Sequence, residues 1–94
     1  MRVLQSSSFA KKTKRFTKKQ KTILDKQIKI ILDNPVIGQE KKGDLRGVYI
    51  HKFKIESIQY LLSYRFDKEK LELIMLGPHE NYYRNLKVYL KSTK

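Results

Sequence analysis

The sequence predicts an α+β fold: an N-terminal helical hairpin packed on a twisted antiparallel sheet, in the order β-α-α-β-β-β-α. Three observations predict it. Apolar residues recur at helical spacing up to Asn34, then switch to a period of two after Gly47. The second half holds two turn signals, Ser57 and Asp67-Lys68-Glu69-Lys70, spaced for successive hairpins. Helices followed by consecutive hairpins place helices on one face of an antiparallel sheet.

Each element has its own signal. Arg2 to Gln5 reads as a short first strand. Ser6, Ser7 and Ser8 offer cap oxygens for a helix over roughly 8–16, with Phe9 and Phe16 on one face. Thr17 and Gln20 have capping-box spacing, so a second helix starts there. Its stripe is Ile23, Leu24, Ile28, Ile31 and Leu32. Asn34-Pro35 ends it, because a residue before proline avoids the helical region. Residues 34–47 are turn-rich. Val48–Ile55 and Ile58–Phe66 alternate as strands. Leu71 to Leu76 is a third strand, ended by Gly77-Pro78. Glu80 to Lys91 closes the chain as a helix, with Tyr82 or Tyr83, Leu86 and Leu90 on one side.

Composition bounds the function. A chain of 94 residues is a single domain, 1–94, and hides only about 60–65% of the surface its unfolded form exposes. A net charge of +13 must therefore sit on the outside. It is uneven: residues 1–32 carry a net +9 and residues 33–94 a net +4. Such an excess points to a polyanionic partner. The longest apolar run, Leu73 to Leu76, is far short of the ~20 residues a spanning helix needs, so no membrane span is expected. A membrane-surface role fits worst, because the core needs the hairpin's apolar stripe. Met1 to Lys12 has no apolar core of a signal peptide. Without Cys, disulfides and thiol chemistry are excluded. No metal-ligand spacing, P-loop or dinucleotide fingerprint is present, and no cofactor is expected.

Three places hold candidate chemistry. Strand alternation puts Lys52 and Lys54 on one face, ~7 Å apart, with Val48 and Ile50. Tyr49, His51, Phe53 and Ile55 take the other face, toward the helices. A solvated lysine pair and a phosphate clamp both fit this spacing. Gln59, Leu61, Ser63 and Arg65 face the lysines' way, and Arg65 offers a planar fork for phosphate. Gly77-Pro78-His79-Glu80-Asn81-Tyr82-Tyr83-Arg84 is the densest polar cluster. His79 carries the side chain that titrates near neutrality. A plain helix start with Glu80 complementing the dipole is the alternative there.

The pattern as a whole resembles the RelE/ParE superfamily of bacterial type II toxins. The resemblance covers nearly the whole chain. It is carried by the basic hairpin ending in Asp33-Asn34-Pro35, by Gly43-Asp44-Leu45-Arg46-Gly47-Val48-Tyr49 and by His51-Lys52-Phe53-Lys54. Tyr60-Leu61-Leu62-Ser63-Tyr64 and Leu76-Gly77-Pro78-His79-Glu80 complete it. The resemblance implies a small RelE-like fold and a cytoplasmic bacterial toxin. It implies a metal-independent endoribonuclease that cleaves mRNA on the ribosome and so inhibits translation. Lys52 and Lys54 match the family's lysine pair, His79 matches its His-using members, and Tyr83 or Tyr82 matches its late tyrosine. The family's strand Arg is absent, because Leu61 stands there. Lys52, Lys54, His79 and Tyr83 are the expected catalytic residues. RNA contacts are expected from Arg46, Arg65, Glu80 and Arg84, and from Lys11, Lys12, Lys18 and Lys19 on the hairpin. The expected partners are mRNA, ribosomal RNA and a cognate acidic antitoxin, with the toxin monomeric inside a hetero-oligomer. A ParE-type gyrase poison and a non-enzymatic RNA- or ribosome-binding module are the alternatives.

Overall fold

The computed structural model describes residues 1–92. Its order is β1 (Arg2–Gln5), α1 (Ser7–Lys14), α2 (Lys18–Asp33), β2 (Gln39–Glu40), β3 (Tyr49–Ile55), β4 (Ile58–Phe66), β5 (Lys70–Pro78) and α3 (Tyr82–Ser92). Short 3-10 turns at Pro35–Ile37 and Gly43–Leu45 flank β2. The α+β class and the order of the main elements are as expected. The two-residue β2 is an addition that the turn-rich stretch concealed.

Local signals set the helix ends. Ser6 caps α1, its Oγ accepting the Phe9 N–H at 3.0 Å. Thr17 and Gln20 form the reciprocal capping box, with bonds of 3.2 and 2.9 Å. Asn34 ends α2 and Pro35 opens the following turn. Residues Glu56 and Ser57 join β3 to β4, with Glu56 at φ 59°. The Asp67 carboxylate accepts the N–H groups of Glu69 and Lys70 in the next turn. These two bonds pull its pKa below the usual carboxylate value.

The sheet order is β1-β5-β4-β3-β2. The β2–β3, β3–β4 and β4–β5 ladders are antiparallel, as expected. The β1–β5 ladder is parallel, so the sheet is mixed. The reason is topological. The chain crosses the sheet through the helical hairpin before returning, which suits a parallel pair. Strand β5 also runs on through Gly77 and Pro78, which pair with Leu61 and Tyr60. The expectation that Gly77-Pro78 ends the strand is corrected. Pro78 is the strand's last residue, where a missing N–H is tolerated.

Both faces of the sheet are covered. On one face Phe9, Leu24 and Ile31 of the hairpin pack on Phe53, Ile55, Leu62 and Tyr64. On the other, Tyr82 and Leu86 of α3 pack on Leu45, Ile50, Leu61 and Ile74. The expectation of helices on one face is thus corrected for α3. Burial of Leu61 and Ile74 on the second face requires a cover, since exposed apolar strand residues leave surface in water. The register shift beside Ser63 and Tyr64 keeps Ile74 and Met75 both with that face and returns Leu76 to the hairpin face beside Leu71 and Leu73.

Candidate functional site

The register aligns the candidate residues in rows. Lys52 pairs with Leu61, and Leu61 pairs with Gly77. Lys54 pairs with Gln59 in the next row on the same face. His79 lies two residues beyond Gly77, just past the end of β5. Two ladder steps separate the lysine strand from β5, so their backbones are ~10 Å apart, within the combined reach of a lysine and an imidazole. Lys52 and Lys54 are both exposed. Their alternation partners Phe53 and Ile55 are buried under the helices, as expected.

The β5–α3 junction supplies the second half. His79, Glu80 and Asn81 form the turn, Asn81 at φ 58°, a left-handed conformation that Asn tolerates. Helix α3 therefore starts at Tyr82, two residues later than expected, and its first turn contains no acidic residue. The His79 and Tyr83 rings meet edge to face, with centroids 6.1 Å apart. Lys41 places its Nζ 5.0 Å from the centre of the Tyr83 ring. This cation comes from the loop between β2 and β3, and the sequence reading did not select it. Its neighbours are Lys42 and Arg46, and Lys41 and Arg46 form a bridge that closes the loop.

The two adjacent tyrosines have different jobs. Tyr82 is buried; its hydroxyl donates to the Met75 carbonyl at 2.7 Å and lies in hydrogen-bond contact with Ser63 Oγ at 2.8 Å. Burial pushes its phenol far up, so it stays protonated. It anchors α3 to the sheet. Tyr83 is half-buried and remains accessible beside His79. The two adjacent tyrosines thus stand in different surroundings, one in the core and one at the surface.

Other candidates lie elsewhere. Arg65 is four residues from Leu61, ~13 Å along β4. Its guanidinium is bound to Glu72 at 2.9 and 3.0 Å. It sits at the far end of the strand from Gln59, and its fork is engaged by a carboxylate across the hairpin. Leu61 is fully buried, as is Ser63, so the middle of the supposedly open face is core. A leucine fits there because Tyr82 and Leu86 close over it. Arg84 is exposed on the first turn of α3, and Glu80 is exposed in the preceding turn. Lys18 and Lys19 are exposed on α2, across the sheet from α3. Lys11 and Lys12 lie on α1 and line a groove beside the end of β5. His51 lies among the helix-facing residues and bonds Gln27 of α2 at 2.8 Å. Among the described residues no three His, Asp or Glu side chains converge as metal ligands. No described helix is long and apolar enough to cross a membrane.

A sheet covered on both faces, with a basic helical hairpin on one side and Lys41, Tyr83 and His79 in contact at the β5–α3 end, defines a small α+β domain. The family model for ParE-like toxins of type II bacterial toxin–antitoxin systems matches residues 3–87. The chain belongs to that family. Several solved structures share the fold. A double arginine-to-alanine mutant of the E. coli toxin RelE in the free state is 20% identical, with a TM-score of 0.71, covering 99% of this chain and 97% of that one. The intact E. coli RelBE toxin–antitoxin complex matches at 22% identity and TM-score 0.66, over 84% of this chain and 96% of that chain. A YoeB/ParE toxin from Agrobacterium tumefaciens matches at 19% and 0.66, over 84% of this chain and 99% of that chain. No curated protein matches.

Proposed function

We propose that this toxin is a metal-independent endoribonuclease that cuts mRNA on the ribosome. The observation that supports the reading is the shared row: Lys52 stands in line with Leu61 and Gly77, two residues before His79. His79 meets Tyr83 edge to face, and the Lys41 ammonium stands over the same Tyr83 ring. Cleavage without a metal needs a base for the 2′-OH, positive charge for the phosphorane and an acid for the leaving oxygen. The 2′-oxygen attacks phosphorus as its proton passes to the base. The bond from phosphorus to the 5′-oxygen breaks, and the acid protonates that oxygen. The products are a 2′,3′-cyclic phosphate and a 5′-hydroxyl end. Lys52 and Lys54 supply the charge, His79 serves as acid or base, and Tyr83 orients the scissile phosphate. Arg46 and Arg84 hold flanking phosphates. Lys18 and Lys19 dock on ribosomal RNA from the outer face of the hairpin.

Primer extension on a translated message tests this reading. The wild type produces codon-phased cuts, and His79→Ala loses about 10²- to 10⁴-fold in rate. Cutting by the mutant at the wild-type rate overturns the role of His79. A complete absence of cuts by the wild type overturns the nuclease reading.

One observation favours a second reading, the gyrase poison. Leu61 occupies core where an RNase of this kind presents an arginine, and the matching family is ParE-like. Gyrase-linked DNA breaks without RNA cuts would establish it. In either case a cytoplasmic, acidic antitoxin is the partner. The RelBE neighbour is a toxin–antitoxin complex, and a surface of net charge +13 needs neutralising.

A further inference from the structure

A groove of about 1050 Å³ lies apart from the lysine row, between α1 and the end of β5. One wall is α1, which contributes Lys11, Lys12, Lys14 and Arg15. The floor is the end of β5, with Gly77 and Pro78. Strand β1 leaves β5 at Leu73, so beyond that point no strand pairs with this edge among the described residues. The groove thus arises from the short parallel ladder: β1 stops, the chain turns up into α1, and the helix overhangs the edge of β5.

Its chemistry is one-sided. Four cations line it against a single carboxylate, Glu80. Among the described residues the one salt bridge joins Arg65 to Glu72, so none of these four cations is paired. Lys14 and the cap residue Arg15 follow Lys11 by three and four residues, which puts each beside Lys11, about 5–6 Å between Cβ atoms. Phe16 and Tyr60 also line the groove, in edge-to-face contact at 5.9 Å. A basic track beside aromatic rings is the chemistry of single-stranded nucleic-acid binding. The groove is also continuous with the cluster described above. Gly77, Pro78 and Glu80 line it, and His79 lies between them in the chain.

We propose that the groove between α1 and the end of β5 binds single-stranded RNA, seating phosphates on Lys11, Lys14 and Arg15 and leading the strand past His79. This deepens the nuclease reading by naming the path of its substrate. An RNA chain is favoured over an acidic peptide because the groove offers rings beside its cations, and bases stack on rings while carboxylate side chains do not.

Binding is measured by fluorescence anisotropy on the full chain, with a short 2′-O-methyl oligoribonucleotide that cannot be cleaved. A failure of cleavage and a failure of the groove are then separate results. The variant K11Q/K14Q/R15Q binds roughly tenfold or more weakly at low salt, and its log–log salt slope falls by about 2, at ~0.7 per lost phosphate contact. The variant K21Q/K26Q/K29Q removes the same charge from exposed positions of α2 outside the groove and keeps the wild-type affinity. The charge-keeping K11R/K14R keeps it too. Equal weakening by both triple variants overturns the proposal, because net charge alone then explains binding. An acidic peptide that binds more tightly than the RNA and is lost in the groove variant also overturns it, making the groove a peptide site.

Discussion

The Tyr82 hydroxyl lies 2.7 Å from the Met75 carbonyl oxygen and 2.8 Å from Ser63 Oγ. This contact fastens α3 to the sheet across the register shift in β4 and β5. The same helix carries Tyr83 and follows His79, so the latch sets where both side chains stand. Tyr82→Phe removes the donor and should destabilise the fold by about 1–3 kcal/mol. Urea denaturation measures it. Ser63 Oγ already lies 3.3 Å from the same carbonyl and can take over part of the bond, so the lower end is expected. An unchanged midpoint would show that the latch contributes nothing.

Gly38 sits beneath a second tyrosine. The Tyr64 hydroxyl donates to the Pro35 carbonyl at 2.6 Å and accepts the Gly38 N–H at 3.0 Å. A Cβ at position 38 would stand 2.6 Å from that hydroxyl and 3.0 Å from the Ile50 carbonyl. Gly38→Ala should therefore cost about 1–3 kcal/mol, the usual penalty of overpacking. A thermal melt at or above the wild-type Tm would refute the clash.

His51 makes stability depend on pH. Its ring is half-buried against Phe53 and bonded to Gln27, and desolvation lowers its pKa from 6.5. Above pH 6.5 the residue is neutral in folded and unfolded chains alike. As pH falls below 6.5 the unfolded chain takes up the proton first, so stability drops toward the lower folded pKa and then levels. Urea melts of wild type and His51→Gln across this window should show a shallower loss for the variant. Identical slopes would assign the acid sensitivity elsewhere.

Helix α2 begins with Lys18 and Lys19 and no acidic residue in its first turn. Cations at this end oppose the helix dipole. Lys18→Glu should stabilise the fold by about 0.3–1 kcal/mol while weakening association with ribosomes. The pairing of gained stability with lost association is the signature of a functional charge. A variant that gains stability and sediments with ribosomes as before would make Lys18 an ordinary surface residue.

Much of the fold was legible because its signals are local. Thr17 and Gln20 three residues apart define a cap, and Pro35 ends a helix, whatever surrounds them. The alternation from Tyr49 to Ile55 likewise told which side chains share a face, and it placed Lys52 with Lys54 and His51 with the helices. Alternation cannot say what covers a face. The burial of Leu61 follows from α3 folding over it, and that contact joins residues more than twenty apart. The same holds for Arg65, whose partner Glu72 stands across a hairpin, and for Lys41, which reaches Tyr83 from a loop forty positions earlier. By itself, the sequence determined the helix ends, the strand faces and the strong positive charge. Only the tertiary structure decided the parallel placement of β1, the side taken by α3, which tyrosine stays accessible and where the groove lies. The physical reason is that caps and turns are satisfied within a few residues, whereas burial is settled by whichever distant surface arrives to exclude water.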